Sequence, residues 1–123
     1  MKTRERIALQ LLSIGINPSS VVPVVMRVRR LAAKHTRMCE AGCNGEGYVG
    51  GKFYRLDGST PGAYINIDTG EDVFDRECER LEAKIEALVS TVSDLTTEHQ
   101  GDPRGYTIKL AYAGRDITHI CFS

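Results

Sequence analysis

The chain is predicted to be an α+β domain. Two N-terminal helices lead into a glycine-rich loop or short hairpin, then one amphipathic helix, then a C-terminal three-stranded antiparallel meander. Three observations carry this. Two long stretches place apolar residues at alternating spacings of four and three, which marks one face of a helix. Residues 106–112 alternate with a period of two, as a half-buried strand does. Seven glycines fall within residues 44–72 and separate the helical parts.

At 123 residues the chain is read as one domain. It divides into a basic helical part (1–43), a glycine-rich part (44–70), a helix (71–93) and the meander (94–123). Thr3 suits the N-cap of a first helix over 4–15, with Ile7, Leu11 and Ile14 on one face and Gly15 as its stop. A second helix over 20–42 carries the stripe Val21, Val25, Val28, Ala32, His35 and Cys39. Its cap is either Asn17, with Pro18 at the first helical position, or Ser20, which would leave Pro23 in the first turn. In the glycine-rich part, 52–56 and 63–67 read as two short β-like runs. The third helix, over 71–92, is the clearest element, with Phe74, Cys78, Leu81, Ile85, Leu88 and Val92 on one face. Strands follow at 95–100, 106–112 and 117–122.

The four cysteines, Cys39, Cys43, Cys78 and Cys121, read as reduced thiols, because no secretory leader precedes them. No stretch nears the ~20 apolar residues that span a bilayer. The reading is a cytoplasmic protein with no membrane partner. Net charge is zero but uneven: residues 1–40 carry +6 and residues 41–123 carry −6. A basic surface that meets an anionic partner would account for this. So would two halves that face each other, or charges spread over solvated helix faces.

Asp102-Pro103-Arg104-Gly105 matches a type I β-turn, with Asp first, Pro second and Gly fourth. That role explains the string without any function. The functional reading is that the turn displays Arg104, with His99 and Gln100 behind it, to a partner or anionic ligand, since a guanidinium forks onto carboxylate or phosphate. The run Gln100-Gly101-Asp102-Pro103-Arg104-Gly105-Tyr106-Thr107-Ile108-Lys109-Leu110 resembles a segment of small, largely uncharacterised accessory proteins encoded by bacteriophages and prophages. Cys43-Asn44-Gly45 after a basic helix resembles their other recurring piece. The resemblance implies a setting rather than an activity: a viral accessory protein in the host-cell cytoplasm that binds a host protein or a host defence component. No catalytic residue follows from it. On the basic helix, Arg30 and Arg37 are the contact residues expected beside Arg104, Gln100 and His99.

Other chemistry is weaker. His35, Cys39 and Cys43 lie at i, i+4 and i+8 on one helix, with Cys78 available from another, a set that zinc accepts. Eight residues of helix rise about 12 Å, too far for one ion to take all three unless the helix ends before Cys43. No cofactor is therefore assigned, and zinc with these four residues stays a second alternative. His119 and Cys121 sit two apart, a poor dyad for nucleophilic catalysis. Glu71, Asp72 and Asp75 suit a helix start, where the dipole favours negative charge. Residues 45–50 have the spacing of a dinucleotide fingerprint but follow a helix instead of a strand. The reading is therefore a non-enzymatic interaction protein.

Its first rival is a small DNA-binding regulator. Leu11 to Val21 has the cadence of helix, glycine, apolar residue, polar cap, helix, and Arg27, Arg29, Arg30, Lys34 and Arg37 could face phosphates. A continuous second helix and a near-neutral pI weigh against it. The sequence leaves homo-oligomer formation open.

Overall fold

The computed structural model describes residues 1–44, 46–49, 52–57, 65–70, 73–102 and 105–122. The fold is α+β, as the sequence predicts. Helix α1 spans Thr3–Ser13 and α2 spans Pro18–Asn44. Strands β1 (Glu46–Val49), β2 (Lys52–Asp57) and β3 (Ile65–Asn66) follow, then α3 (Val73–Val89). The chain closes with β4 (Leu95–Asp102), β5 (Gly105–Tyr112), β6 (Arg115–Asp116) and the single turn α4 (Thr118–Cys121). Two antiparallel three-stranded sheets result, ordered β1-β2-β3 and β4-β5-β6.

Helix α1 ends where Gly15 predicts. Its φ of +79° lets the Ile16 and Gly15 N–H groups donate back to Leu11 and Leu12 carbonyls at 2.9 and 3.0 Å. Only glycine takes that conformation cheaply, and Ile16 and Leu11 are both buried beneath the turn. Lys2, not Thr3, holds the cap position, and it supplies no side-chain hydrogen bond.

Of the two caps considered for α2, the structure uses Asn17. Its Oδ1 accepts the Ser19 N–H at 3.0 Å and the Ser19 hydroxyl at 2.8 Å, with Pro18 as first helical residue. Pro23 is therefore inside the helix and not in its first turn. It has no N–H to donate to the Ser19 carbonyl, and its ring crowds that oxygen. Pro23 is exposed, so no packing holds it there. Pro23→Ala should stabilise the protein by about 2 kcal/mol, the interior proline penalty of about 3 kcal/mol less the extra freedom alanine gives the unfolded chain. A urea titration reads this as a higher midpoint at unchanged slope.

The principal core lies between the three long helices and the inner face of the β4-β5-β6 sheet. Ile7 and Leu11 come from α1, Val21, Val25, Val28 and Ala32 from α2, and Ile85 and Val89 from α3. Leu95, Ile108, Leu110, Ile117, Ile120 and Cys121 meet them from the C-terminal part. Helix α3 stops at Val89, short of residue 92. The Ser90 and Thr91 hydroxyls donate to the carbonyls of Ala87 and Leu88 and close its last turn. Phe74, part of its predicted stripe, falls among residues whose side chains lie outside the described set.

Two predictions need correction. Glu46–Val49 is a strand, where the sequence predicts no β run. It pairs with β2 in a register that sets Val49 opposite Lys52, the separation of a two-residue hairpin. Only residues 65–66 of the run 63–67 form the described third strand; residues 63–64 lie outside the described set. The predicted strand over 117–122 is instead β6 at 115–116 followed by α4. Ala113 and Gly114, with φ of +50° and +83°, make a tight return in the sense that hairpins favour. Asp116 Oδ1 then accepts the Thr118 N–H at 2.9 Å and starts a helical turn.

Candidate functional site

The α2 helix positions the main candidate. Arg27, Arg30, Lys34 and Arg37 are all exposed. At 100° per residue they fall within an arc of about 80° and run about 15 Å along the helix. The opposite face is the buried stripe Val21, Val25, Val28, Ala32 and His35. The ridge is basic because the spacing of these four residues places them on the side of the helix opposite its buried stripe. Its two flanks differ. Lys34 lies near Glu77 of α3 and helps to hold that carboxyl below its ordinary range, after the larger effect of the Arg80 hydrogen bond. Arg30 and Arg37 lie toward the other flank.

That other flank is a groove of about 560 Å³ between α2, β5 and α4. Met26, Arg29, Arg30, Ala33 and Thr36 form its helical wall, and Thr107, Ile108, Thr118 and Phe122 face them. Arg29 departs from its expected place on the phosphate-facing surface. It is half-buried, and its Nη1 donates to the Cys121 carbonyl at 2.6 Å, tying α4 to α2. Sequence periodicity could not show this groove, because its walls come from segments some eighty residues apart in the chain.

A second cluster lies where α2, α3 and β4 meet. Glu82 and Glu86, one turn apart on α3, face two histidines. Glu82 Oε1 is 3.9 Å from His35 Nε2, and Glu86 Oε1 is 3.5 Å from His99 Nε2. His35 is buried, and desolvation first, then the neighbouring His99, lowers its pKa against an opposing backbone hydrogen bond. His99 sits opposite Ile108 in the hairpin register, with a side chain only 12% exposed. It therefore packs toward α3, and the expectation that it is displayed behind the turn is corrected. Strand alternation sends it to the same face as Leu95, which is buried.

The other expected residues are placed as follows. Arg104 lies outside the described residues. Gln100 pairs with Thr107 in the ladder, and its side chain lies outside them too. Asp102 and Gly105 stand opposite each other, as a two-residue connection requires. Arg30 and Arg37 share the α2 ridge.

Helix α2 runs through Asn44, so His35, Cys39 and Cys43 span about 12 Å of one unbroken helix, beyond the reach of a single ion. The Cys39 and Cys43 side chains lie outside the described residues. Cys78 is buried. Among the described residues, no three metal-binding side chains come together. Cys121 is also buried and free, and burial above all pushes its thiol up to about 12, with Arg29 opposing and Asp116 adding. At neutral pH it is no nucleophile. His119, its suggested neighbour, is exposed on the other side of α4. Residues 46–49 of the glycine spacing form a strand, and the next element among the described residues is strand β2, not a helix.

No helix among the described residues is long and apolar enough to cross a membrane. Compared with protein-family models, curated proteins and solved structures, the chain matches none.

Proposed function

We propose that this is a non-enzymatic interaction protein of the phage-accessory kind, acting in the host cytoplasm. It binds a host protein, such as a component of host defence, through the basic α2 ridge and the groove beside it. The observation that supports this reading is the ridge itself: four cations on one exposed arc, one of which, Arg30, borders an open groove with largely apolar walls. A rim of arginine around an apolar floor suits protein partners, where arginine and buried apolar anchors carry much of the energy.

The test is affinity capture from bacterial lysate with the wild-type protein, the double variant Arg30→Glu/Arg37→Glu, and Arg104→Ala. The expected result is a discrete partner that the double variant loses. Equal recovery by the double variant removes the ridge from the account, and loss with Arg104→Ala alone moves the contact to the hairpin tip.

Duplex DNA is the second reading, favoured by the same cations. It fits less well. A helix-turn-helix presents the first turns of its second helix to base edges. Here the exposed residues of those turns are Ser19, Ser20 and Pro23, while Val21, Val22, Val24 and Val25 are buried. The arginines begin only at Arg27. Duplex binding that falls steeply with salt, by a log–log slope of about −4 or more for as many phosphate contacts, would favour DNA.

A further inference from the structure

We propose that the groove between α2 and β5 receives an extended, acidic peptide segment of a partner protein, which adds to the open edge of β5 as a further strand. This rests on the interaction reading above and specifies how the partner is held.

The backbone of β5 carries the argument. One edge is paired with β4 along its whole length. On the other edge, β6 covers only Ala111 and Tyr112. The cover then extends one step further. The Leu110 carbonyl accepts the Ile117 N–H at 2.9 Å, and the Leu110 N–H donates to the Thr118 hydroxyl oxygen at 3.0 Å. Beyond that, α4 turns the chain away. Backbone groups two residues apart on a strand point to the same side. The register from Leu95↔Tyr112 to Asp102↔Gly105 is unbroken, so no bulge changes this parity. The N–H and C=O of Ile108, and next those of Tyr106, therefore point outward, away from β4. Among the described residues, no hydrogen bond reaches Ile108 from that side.

An open edge is a template for another strand. What makes this one a site is its position. Ile108 and Thr107 line the groove, so the edge is the floor of a channel whose opposite wall is α2. A peptide laid there would bond to Ile108 and place alternate side chains against Met26, Ala33 and Phe122. The polarity of the partner follows from the lining, which includes Arg29 and Arg30 and, among the described residues, no carboxylate. Arg37 continues the positive charge along the helix. A nucleic-acid strand would satisfy the charge, but it lacks the alternating donors and acceptors that match this edge.

The test uses displayed random peptides of about twelve residues, long enough to cover the edge, panned on the whole protein. Acidic sequences with alternating β-formers should be enriched. The best is then synthesised plain and in two N-methylated forms, one for each set of alternate amides. One form should bind about tenfold weaker or worse, since it loses the bonds to β5, and the other should bind nearly as well as the plain peptide. Binding of the plain peptide should slow hydrogen exchange at the Ile108 amide and should weaken with Arg30→Glu. N-methylation alters only the peptide, so the outcome does not depend on a variant that folds poorly.

Failure to enrich acidic peptides, equal binding by both methylated forms, or unchanged exchange at Ile108 overturns strand addition. The broader reading fails separately, when cellular capture is indifferent to Arg30→Glu/Arg37→Glu. A peptide that responds to Arg30→Glu but not to methylation leaves an anionic protein partner in place and removes the β5 edge.

Discussion

Ile85→Ala is expected to lower the unfolding free energy by about 2–5 kcal/mol, the largest loss predicted for any side chain considered for this fold. Ile85 is fully buried in the principal core, on the α3 face that also carries Val89. The substitution removes three carbons and leaves a cavity whose walls come from different elements, so they cannot close together. Alanine is the better helix former, which returns only about half a kcal/mol. A domain of this size has about 5–15 kcal/mol in total, so the variant should lose a large share of it. Leu12 on α1 provides the contrast. It is 56% exposed, and Leu12→Ala should change stability by no more than about 0.5 kcal/mol. Urea unfolding of the two variants checks both. A similar shift for each would mean that the α3 face is not the core face.

The second large effect is a loss of stability on mild acidification, centred on His35. Burial, with the nearby His99, sets the folded-state pKa of His35 below its ordinary 6.5. In the unfolded chain the imidazole gains its proton near pH 6.5, while in the folded chain it stays neutral to lower pH. Across that window the unfolded state binds more protons, so stability falls as pH falls. It is fully present above about 6.5 and declines toward the folded value, at up to ~1.4 kcal/mol per pH unit for one group. The backbone hydrogen bond at His35 opposes the shift but does not reverse it. His35→Gln should flatten the curve of melting temperature against pH between 7.5 and 5.5. A wild-type curve flat through this window would show that His35 gains its proton equally in both states.

These predictions differ in how far the sequence alone supports them. The α3 stripe is visible as a spacing, so Ile85 can be named as core without a structure. His35 also falls on its stripe, but the carboxylate beside it cannot be read, because Glu82 comes from a segment some fifty residues away. The segment 117–122 shows a period misread. Ile117, His119 and Cys121 fit a strand, yet Ile117, Ile120 and Cys121 fit a helical turn equally well, and these three are the buried ones. Over six residues the two patterns overlap, and the hairpin return at Ala113-Gly114 decided between them. The missed strand at 46–49 had a readable signal, the pair Gly50-Gly51 between Val49 and Lys52, which favours a two-residue hairpin.

Local chemistry in the sequence thus determined the three longer helices, the Gly15 stop and the long C-terminal hairpin, and it named Asn17-Pro18 as one of two starts for α2. Each depends on contacts within a few residues, and side-chain spacing records such contacts directly. The tertiary structure alone decided that His99 turns inward, that Arg29 ties α4 to α2, and that the outer edge of β5 stays open opposite α2. Those outcomes depend on which distant segments meet, and they follow from packing the whole chain around one core.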